Sequence, residues 1–388
     1  MKKILIVNNN LKVGGVQKAL YNLLWEIEGK YDITLCLFSE NGEYADKLPP
    51  SVKVVKVHGL YRYLGLSQGE CGGLSALVRG ACVVACRLIG RRKTLKLLSK
   101  RQPSLDKKYD CAISYLHNGR AKSFYGGTQD FVLNCVNADK KVAFLHCDYR
   151  NCGADNSENN SDMRKFDRIA ACSDGCREAF LSVLPELSDK CVTVRNCHRF
   201  PEVRTMAEND PILYDEKYTN ILVVARLSHE KAVDRAIIAL FETLKKGYSA
   251  KLHIVGGGGA MAAQLADLAA DLGVSDNVIF YGEQENPYRY MKNADFLFIS
   301  SYHEAAPMVI DEARSLGLPV LTVSTTSSFD MVETPACGWV CENSQEAMNA
   351  ALERIVSDKD SIAEVKARLK NTCLSNEQAL SQFAELIE

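Results

Sequence analysis

No apolar run in these 388 residues approaches the ~18 residues that a membrane-spanning helix needs. The longest candidate at the start, Ile4–Val7, is four residues long and is followed by three asparagines. A secretory core needs roughly 7–15 apolar residues. The segment therefore reads as a first strand, and a cytoplasmic location is expected. Net charge is almost absent, at −1. Neither an internal repeat of solenoid period nor a low-complexity tract is present. A CxxC pair is also missing. The 15 cysteines are scattered from Cys36 to Cys373, with pairs four apart at Cys82/Cys86, Cys172/Cys176 and Cys337/Cys341. That spacing points to reduced, small packing residues rather than a zinc site or a disulfide framework.

What is present is an ordinary globular composition, 47% hydrophobic and 24% charged. It excludes a disordered chain, a collagen and a coiled coil. The length suits two or three domains and is enough for two cores. The near-zero net charge hides an asymmetry. Residues 1–200 hold 31 Lys and Arg against 20 Asp and Glu; residues 201–388 hold 16 against 28.

The second half alternates strand and helix five times. Apolar runs at Asn220–Arg226, Lys251–Gly256, Asn277–Gly282, Asp295–Ser301 and Pro319–Ser324 are separated by helical spacing at Ala232–Lys246, Ala260–Leu272, Tyr288–Asn293 and Met308–Leu316. Unbroken rather than alternating apolar runs are expected of strands covered on both faces. The first half repeats this grammar, with strands expected at Lys3–Asn8, Asp32–Phe38, Val52–Val57, Asp110–Tyr115, Lys141–His146, Arg168–Cys172 and Val192–Val194, and a helix over Val16–Ile27. The fold class is α/β, with two doubly wound parallel sheets. Arg199–Thr219 is polar, holds Pro201 and Pro211, and reads as the linker. The expected domains are 1–200 and 201–372, with a terminal helix at about 373–388 packing back on the first.

Several loops carry chemistry. Gly14-Gly15 ends the first strand and opens a helix, where a bare backbone lets a ligand approach and helix amides favour an anion. It is not a GxGxxG pattern, which disfavours nicotinamide binding. Arg226 and Lys231 flank the end of a strand, where parallel sheets bind ligands and cations suit phosphate; a surface ion pair with Glu230 or Asp234 is the plainer alternative. Gly256-Gly257-Gly258-Gly259 leaves room for a flat base or a phosphate. In Ser300–Ala313 two glutamates stand eight apart, Glu304 just after a strand and Glu312 inside the following helix. Pro307 suits that helix's first turn, and the amides near Ala305–Val309, including Met308, form an anion site. His146, with Asp148 nearby, ends a strand and is read either as a buried structural group or as a catalytic one.

Between Gly72 and Arg101 lies a helical insertion whose basic residues are Arg79, Arg87, Arg91, Arg92, Lys93, Lys96, Lys100 and Arg101, with no acid among them. Two readings stand: a solvated face over a core stripe, or a peripheral contact with an anionic membrane or a lipid-diphosphate acceptor. Nucleic acid is not expected as a partner, because no helix-turn-helix or aromatic RNA-binding motif occurs.

The pieces ARLSHEK, HIVGGG, GEQENPYRYMKNADFLFISS and HEAAPMVIDEARSLGLPVL resemble glycosyltransferase family 4, and GGVQKAL and VAFLHCD extend the resemblance into the first half. The family implies the glycosyltransferase B fold, two Rossmann-like domains facing each other across a cleft, and retaining sugar transfer from a nucleotide-sugar donor, a UDP-sugar favoured, to a glycan or lipid-linked saccharide. It implies Arg226 and Lys231 on the donor diphosphate, Glu304 on the sugar, Glu312 on the ribose, and Asn286-Pro287-Tyr288 with Gly256 and Gly257 beside the base. It puts His146 by the reacting carbon and Gly14-Gly15 near the phosphate or acceptor. No cofactor and no essential metal are expected. Two positions depart from the family: Ala305-Ala306 follow the first glutamate in place of glycine and a bulky apolar residue, and Ala232 replaces a glycine. An epimerase or phosphorylase, or a non-catalytic binding protein of the same fold, are the alternatives.

Overall fold

The computed structural model describes residues 1–57, 59–99 and 105–388. Lys100 and Arg101 of the basic insertion lie outside the described residues. The chain forms two compact units, Met1–Cys197 with Asn376–Glu388, and His198–Ser375.

The first unit is built on seven parallel strands: β1 (Lys3–Asn8), β2 (Asp32–Leu37), β3 (Lys53–Lys56), β4 (Leu105–Ser114), β5 (Val136–Leu145), β6 (Arg168–Ala171) and β7 (Cys191–Thr193), in the order β3-β2-β1-β4-β5-β6-β7. Apolar side chains of alternate parity fill a core on each face. Leu5 and Val7 join one, Ile4 and Ile6 the other. This is why the runs are unbroken in the sequence. β4 and β5 begin about five residues before the apolar runs do. These amino-terminal extensions alternate core residues (Leu105, Tyr109, Val136) with exposed charged ones, such as Lys108 paired to Asp139 at 2.6 Å. The helix Glu377–Ile387 belongs to this unit and buries Ala379, Phe383, Leu386 and Ile387 against it. Fully burying side chains such as Phe383 and Ile387 contributes roughly 1.5–3 kcal/mol each.

The second unit has six parallel strands: β8 (Thr219–Val224), β9 (Ala250–Val255), β10 (Val278–Gly282), β11 (Phe296–Ile299), β12 (Val320–Val323) and β13 (Gly338–Cys341), in the order β10-β9-β8-β11-β12-β13. The first five match the five expected runs. β13 is an added edge strand, half-buried, and begins at a glycine whose Cβ would lie 1.8 Å from the Val320 carbonyl oxygen.

Two expectations need correction. The stretch read as linker contains the helix Phe200–Glu208, which buries Phe200, Val203 and Ala207 on one face. Pro201 stands in its first turn, where a missing N–H costs nothing. The insertion forms two helices, Gly73–Ile89 and Arg91–Ser99, but its charges do not all face outward. Arg91 is 1% exposed and lies 3.8 Å from the Asp130 carboxylate; Arg92 pairs with Asp162. Arg79 donates to the Leu66 carbonyl at 2.9 Å and to Gln68 at 2.8 Å. These three arginines are spent on the protein's own acceptors.

Candidate nucleotide-sugar site

In each sheet the strand order reverses between two neighbouring strands, β1 and β4 in the first and β8 and β11 in the second. Helices leave in opposite directions there, so a crevice opens beyond the carboxyl ends of the strands. The loops after β8 and β11 carry Lys231 and Glu304. Their side chains meet, with the Lys231 ammonium donating to Glu304 Oε1 at 2.6 Å. Ser301 Oγ donates to the same oxygen, also at 2.6 Å. Both members of the pair are largely shielded from solvent.

The turn that presents Lys231 is clamped from the neighbouring strand. Ser300 Oγ, buried at the end of β11, bonds the carbonyls of Ala232 at 2.9 Å and Lys231 at 3.2 Å. Ala232 sits at φ 48°, ψ 47°, the left-handed region. A side chain there costs roughly 1–2 kcal/mol, strain that the Ser300 clamp offsets. Arg235, buried behind the turn, donates to the Ser300 carbonyl at 3.3 Å and to Asn343 at 2.7 Å, with its guanidinium 4.9 Å from the Tyr302 ring centre. Arg226 is exposed and makes the surface pair with Glu230, at 3.2 Å.

The helix Met308–Ser315 follows Pro307, so the amides of Met308 and Val309 stand in its first turn, where N–H groups have no partner within the helix. Glu312 lies on this helix and is buried. Burial raises the Asp311 carboxyl, but His198 at 3.4 Å and the Arg314 guanidinium outweigh that and hold it below the ordinary range.

The glycine run serves the backbone first. A Cβ on Gly256 would lie 1.7 Å from the Ala225 carbonyl oxygen, and one on Gly258 would lie 2.4 Å from Leu227. Leu227 N bonds the Gly257 carbonyl at 2.8 Å, tying the loops after β8 and β9 together. Asn286 is likewise engaged: its amide donates to the Met206 carbonyl at 2.8 Å, and its oxygen accepts from Tyr288 N at 3.2 Å. The Tyr288 ring, next to Pro287, is in the core.

In the first unit, Gly14 and Gly15 open the helix Gly15–Glu26. Gly14 has φ 173°, ordinary extended backbone, and a Cβ on Gly15 would meet nothing within 4 Å. The fold does not require glycine at either place. His146 follows β5, packed between Tyr115 and Phe144 with ring centres 4.7 and 5.7 Å away, and its Nε2 is buried without a hydrogen-bond partner. Burial, helped by nearby His117, pushes its pKa down to about 3, so the ring is neutral at physiological pH.

Residues 207–372 match the family model described as glycosyl transferases group 1. The matched residues lie within the second unit. An uncharacterized glycosyltransferase of Methanocaldococcus jannaschii is 31% identical over 147 residues, 37% of this chain and 37% of that protein. The lipopolysaccharide glucosyltransferase WaaG of Escherichia coli is 33% identical over 147 residues, 37% of this chain and 38% of that protein. The matched region thus spans little more than a third of these curated relatives. Among solved structures, Anabaena HepE in complex with UDP aligns over 99% of both chains with a TM-score of 0.68 and 16% identity, a likeness of fold.

Sequence patterning singled out Lys231 and Glu304 but not the side chains that support them, Arg235, Ser300, Ser301 and Asn343. Nor did it find His117, which follows β4. Lone serines and an asparagine give no periodic signal; only their strand-end positions do.

Another imidazole has a measurable consequence. His253 in β9 is buried, with Nδ1 3.0 Å from Tyr281 OH and Nε2 3.1 Å from Asn220 Oδ1. Burial pushes its pKa down to about 4, Lys251 adds to this, and Asp295 opposes it. The unfolded chain takes up a proton near pH 6.5 that the folded one refuses. Stability is therefore complete above pH 6.5 and is lost as pH falls toward 4, by roughly 3 kcal/mol at about 1.4 kcal/mol per pH unit. Urea unfolding of this unit, followed through Trp339 in a Trp25→Phe background, is expected to show that slope and to lose it in His253→Asn. An unchanged slope in the variant would refute the assignment.

Proposed function

We propose that this protein is a retaining glycosyltransferase of the family 4 type. It moves a sugar from a nucleoside-diphosphate donor, a UDP-sugar, to a hydroxyl of a glycan or lipid-linked saccharide in surface-glycan assembly. The observation that carries the reading is the Lys231–Glu304 pair at the reversal point of the group 1 unit. UDP is favoured because HepE was solved with it. A glycan role is favoured because WaaG, similar in sequence, is a lipopolysaccharide glucosyltransferase.

Bond breaking gathers negative charge on the leaving diphosphate. Lys231, Arg226 and the amides of Met308 and Val309 stabilise that charge more than the ground state, which is what accelerates the step. These groups balance the diphosphate without a divalent ion. Glu304 orients the sugar and Glu312 the ribose. Gly256, Gly257 and the Asn286–Tyr288 backbone border the base, and Gly14-Gly15 leave room for phosphate or acceptor. The neutral His146 ring positions the developing oxocarbenium ion rather than supplying a proton. The leaving phosphate oxygen takes the acceptor proton.

A melting-temperature panel of UDP-, GDP-, ADP- and CMP-sugars tests donor choice. The UDP-sugar is expected to raise the midpoint by mass action, and product analysis with an acceptor to show transfer. Conversion of donor without acceptor would instead indicate an epimerase, and no binding at all a scaffold.

No helix among the described residues is long and apolar enough to cross a membrane. The helix Gly73–Ile89 nevertheless exposes Leu74, Leu77, Val84 and Leu88 along one side, Leu77 at 73% and Leu88 at 76%, with exposed Arg87 and Lys93 close by in sequence. That combination suits the headgroup region of an anionic leaflet. Wild-type protein is expected to float with anionic liposomes, and Leu77→Glu/Leu88→Glu to remain in the soluble fraction. Equal behaviour of the two would remove the membrane contact.

A further inference from the structure

Sequence spacing offered no metal site, yet among the described residues the first unit gathers a set of metal-ligating side chains. Ligand atoms of His117, Cys147 and Cys152 all lie within 4.8 Å of one another. His117 follows β4, and Cys147 and Cys152 follow β5, its neighbour in the sheet. The set therefore stands at the carboxyl edge of the sheet, beside the reversal of strand order.

The gathering is built rather than incidental. After Cys147 the chain folds back in a tight turn. Cys152 N donates to the Asp148 carbonyl at 2.9 Å. The Asp148 carboxylate accepts from Arg150 N at 3.1 Å, Asn151 N at 3.3 Å and Asn151 Nδ2 at 2.7 Å. This returns Cys152 to the side of Cys147, with the two sulfurs within 4.8 Å of each other. On the other side, the residues after His117 are pinned. Asn118 bonds Asp130 at 3.0 Å and accepts from Gly127 N at 2.8 Å, and Arg91 bonds the carbonyls of Gly119 and Arg120. His117 Nδ1 is buried with no hydrogen-bond partner. An unsatisfied buried nitrogen is costly and calls for an explanation.

We propose that His117, Cys147 and Cys152 hold a thiophilic divalent cation, Zn²⁺, in a three-ligand site. Two sulfurs and an imidazole suit zinc, whose ligands stand about 2.0–2.3 Å from the metal. Ligand atoms within 4.8 Å of one another need only a small closure to reach that geometry. Binding gives the protons of the two thiols to solvent, because the ligands are thiolates. The fourth position is left to water. Cys147 directly follows His146, so the metal fixes the segment that presents that ring. The site is independent of the sugar-transfer reading and stands or falls by metal binding alone.

The test uses the full chain, reduced, treated with chelator and desalted without oxygen, then titrated with Co²⁺ and afterwards with Zn²⁺. The expected result is one equivalent of cobalt with a thiolate-to-cobalt charge-transfer band and tetrahedral d–d bands, displaced by one equivalent of zinc. Cys152→Ser and His117→Gln are each expected to weaken binding by more than about tenfold, since even outer-shell partners are worth that much. Cys373→Ser, at an exposed thiol, is expected to change nothing. Wild-type protein without a charge-transfer band overturns the proposal whatever the variants do. So does a band that survives both Cys147→Ser and Cys152→Ser, which would move the metal to another pair such as Cys172 and Cys176, with sulfurs 4.0 Å apart. Circular dichroism of each variant separates a lost ligand from a lost fold.

Discussion

Replacing Lys231 by alanine is expected to lower kcat/KM for the donor that the nucleotide panel selects by roughly 100–1000-fold, the cost of one preorganised charge at a developing oxyanion. The argument begins with the loop. Ser300 and the left-handed Ala232 fix the turn backbone, so the ammonium arrives already oriented and needs no reorganisation as the bond breaks. Glu304 is bound to it at 2.6 Å. Glu304→Gln keeps the Ser301 hydrogen bond and the shape but removes the charge, and is expected to cost a comparable factor. If the pair acts as a unit, the double variant Lys231→Ala/Glu304→Gln is hardly worse than either single one. Arg226→Ala is expected to lower kcat/KM while leaving the melting temperature unchanged, because an exposed pair such as Arg226–Glu230 contributes about 0–1 kcal/mol. Gly15→Val should also fold normally, since nothing surrounds its Cβ position, and lose activity through the ligand space alone. Wild-type kcat/KM in folded Lys231→Ala and Glu304→Gln would sink the reading.

Most strands among the described residues were legible because a strand covered on both faces must be apolar throughout, and such runs are local signals; β3, an exposed strand at the sheet's edge, was legible only from its short Val52–Val57 run. β13 was not. It is a four-residue, half-buried edge strand that starts at a glycine, and nothing in Gly338–Cys341 separates it from a loop. The helix Phe200–Glu208 was hidden by Pro201 in its first turn and Pro211 just beyond its end, although Phe200, Val203 and Ala207 do carry helical spacing. At the candidate site, Lys231 and Glu304 were singled out because each stands in a strand-end loop with a local motif of its own, although only the fold makes them meet. The residues that support them were not, because Ser300 meets Ala232, and Arg235 meets Asn343, only after β8 and β11 pair and the Asn343 loop folds beside them. The same holds for His117 and Cys147, which neighbouring strands bring together from 30 positions apart. Patterning also took Arg91 for a surface charge. A helical basic run says which residues are charged but not which of them turns inward.

Arg91→Met is expected to destabilise the first unit by about 3–5 kcal/mol, the usual cost of breaking one side of a buried ion pair. The guanidinium is 1% exposed and Asp130 4%. It also bonds the carbonyls of Gly119 at 3.1 Å and Arg120 at 3.3 Å and the Asn159 side chain, so its loss removes these bonds together with the counter-charge of Asp130. Burial already raises the Asp130 pKa, and Arg91 is the main influence opposing it. Without Arg91 the folded carboxyl rises further above its unfolded value. A group shifted that way favours the folded state at low pH and penalises it as pH rises. The deficit of Arg91→Met is therefore largest at neutral pH and shrinks on acidification. Adding Asp130→Asn removes the stranded charge and is expected to recover part of the loss. Arg91→Lys recovers less than a full pair, because an ammonium cannot span the carboxylate and the carbonyls together as the planar fork does. Urea unfolding through Trp25 in a Trp339→Phe background isolates this unit, since the chain has only these two tryptophans. A loss below about 1 kcal/mol, the range of an exposed pair, would return Arg91 to the surface.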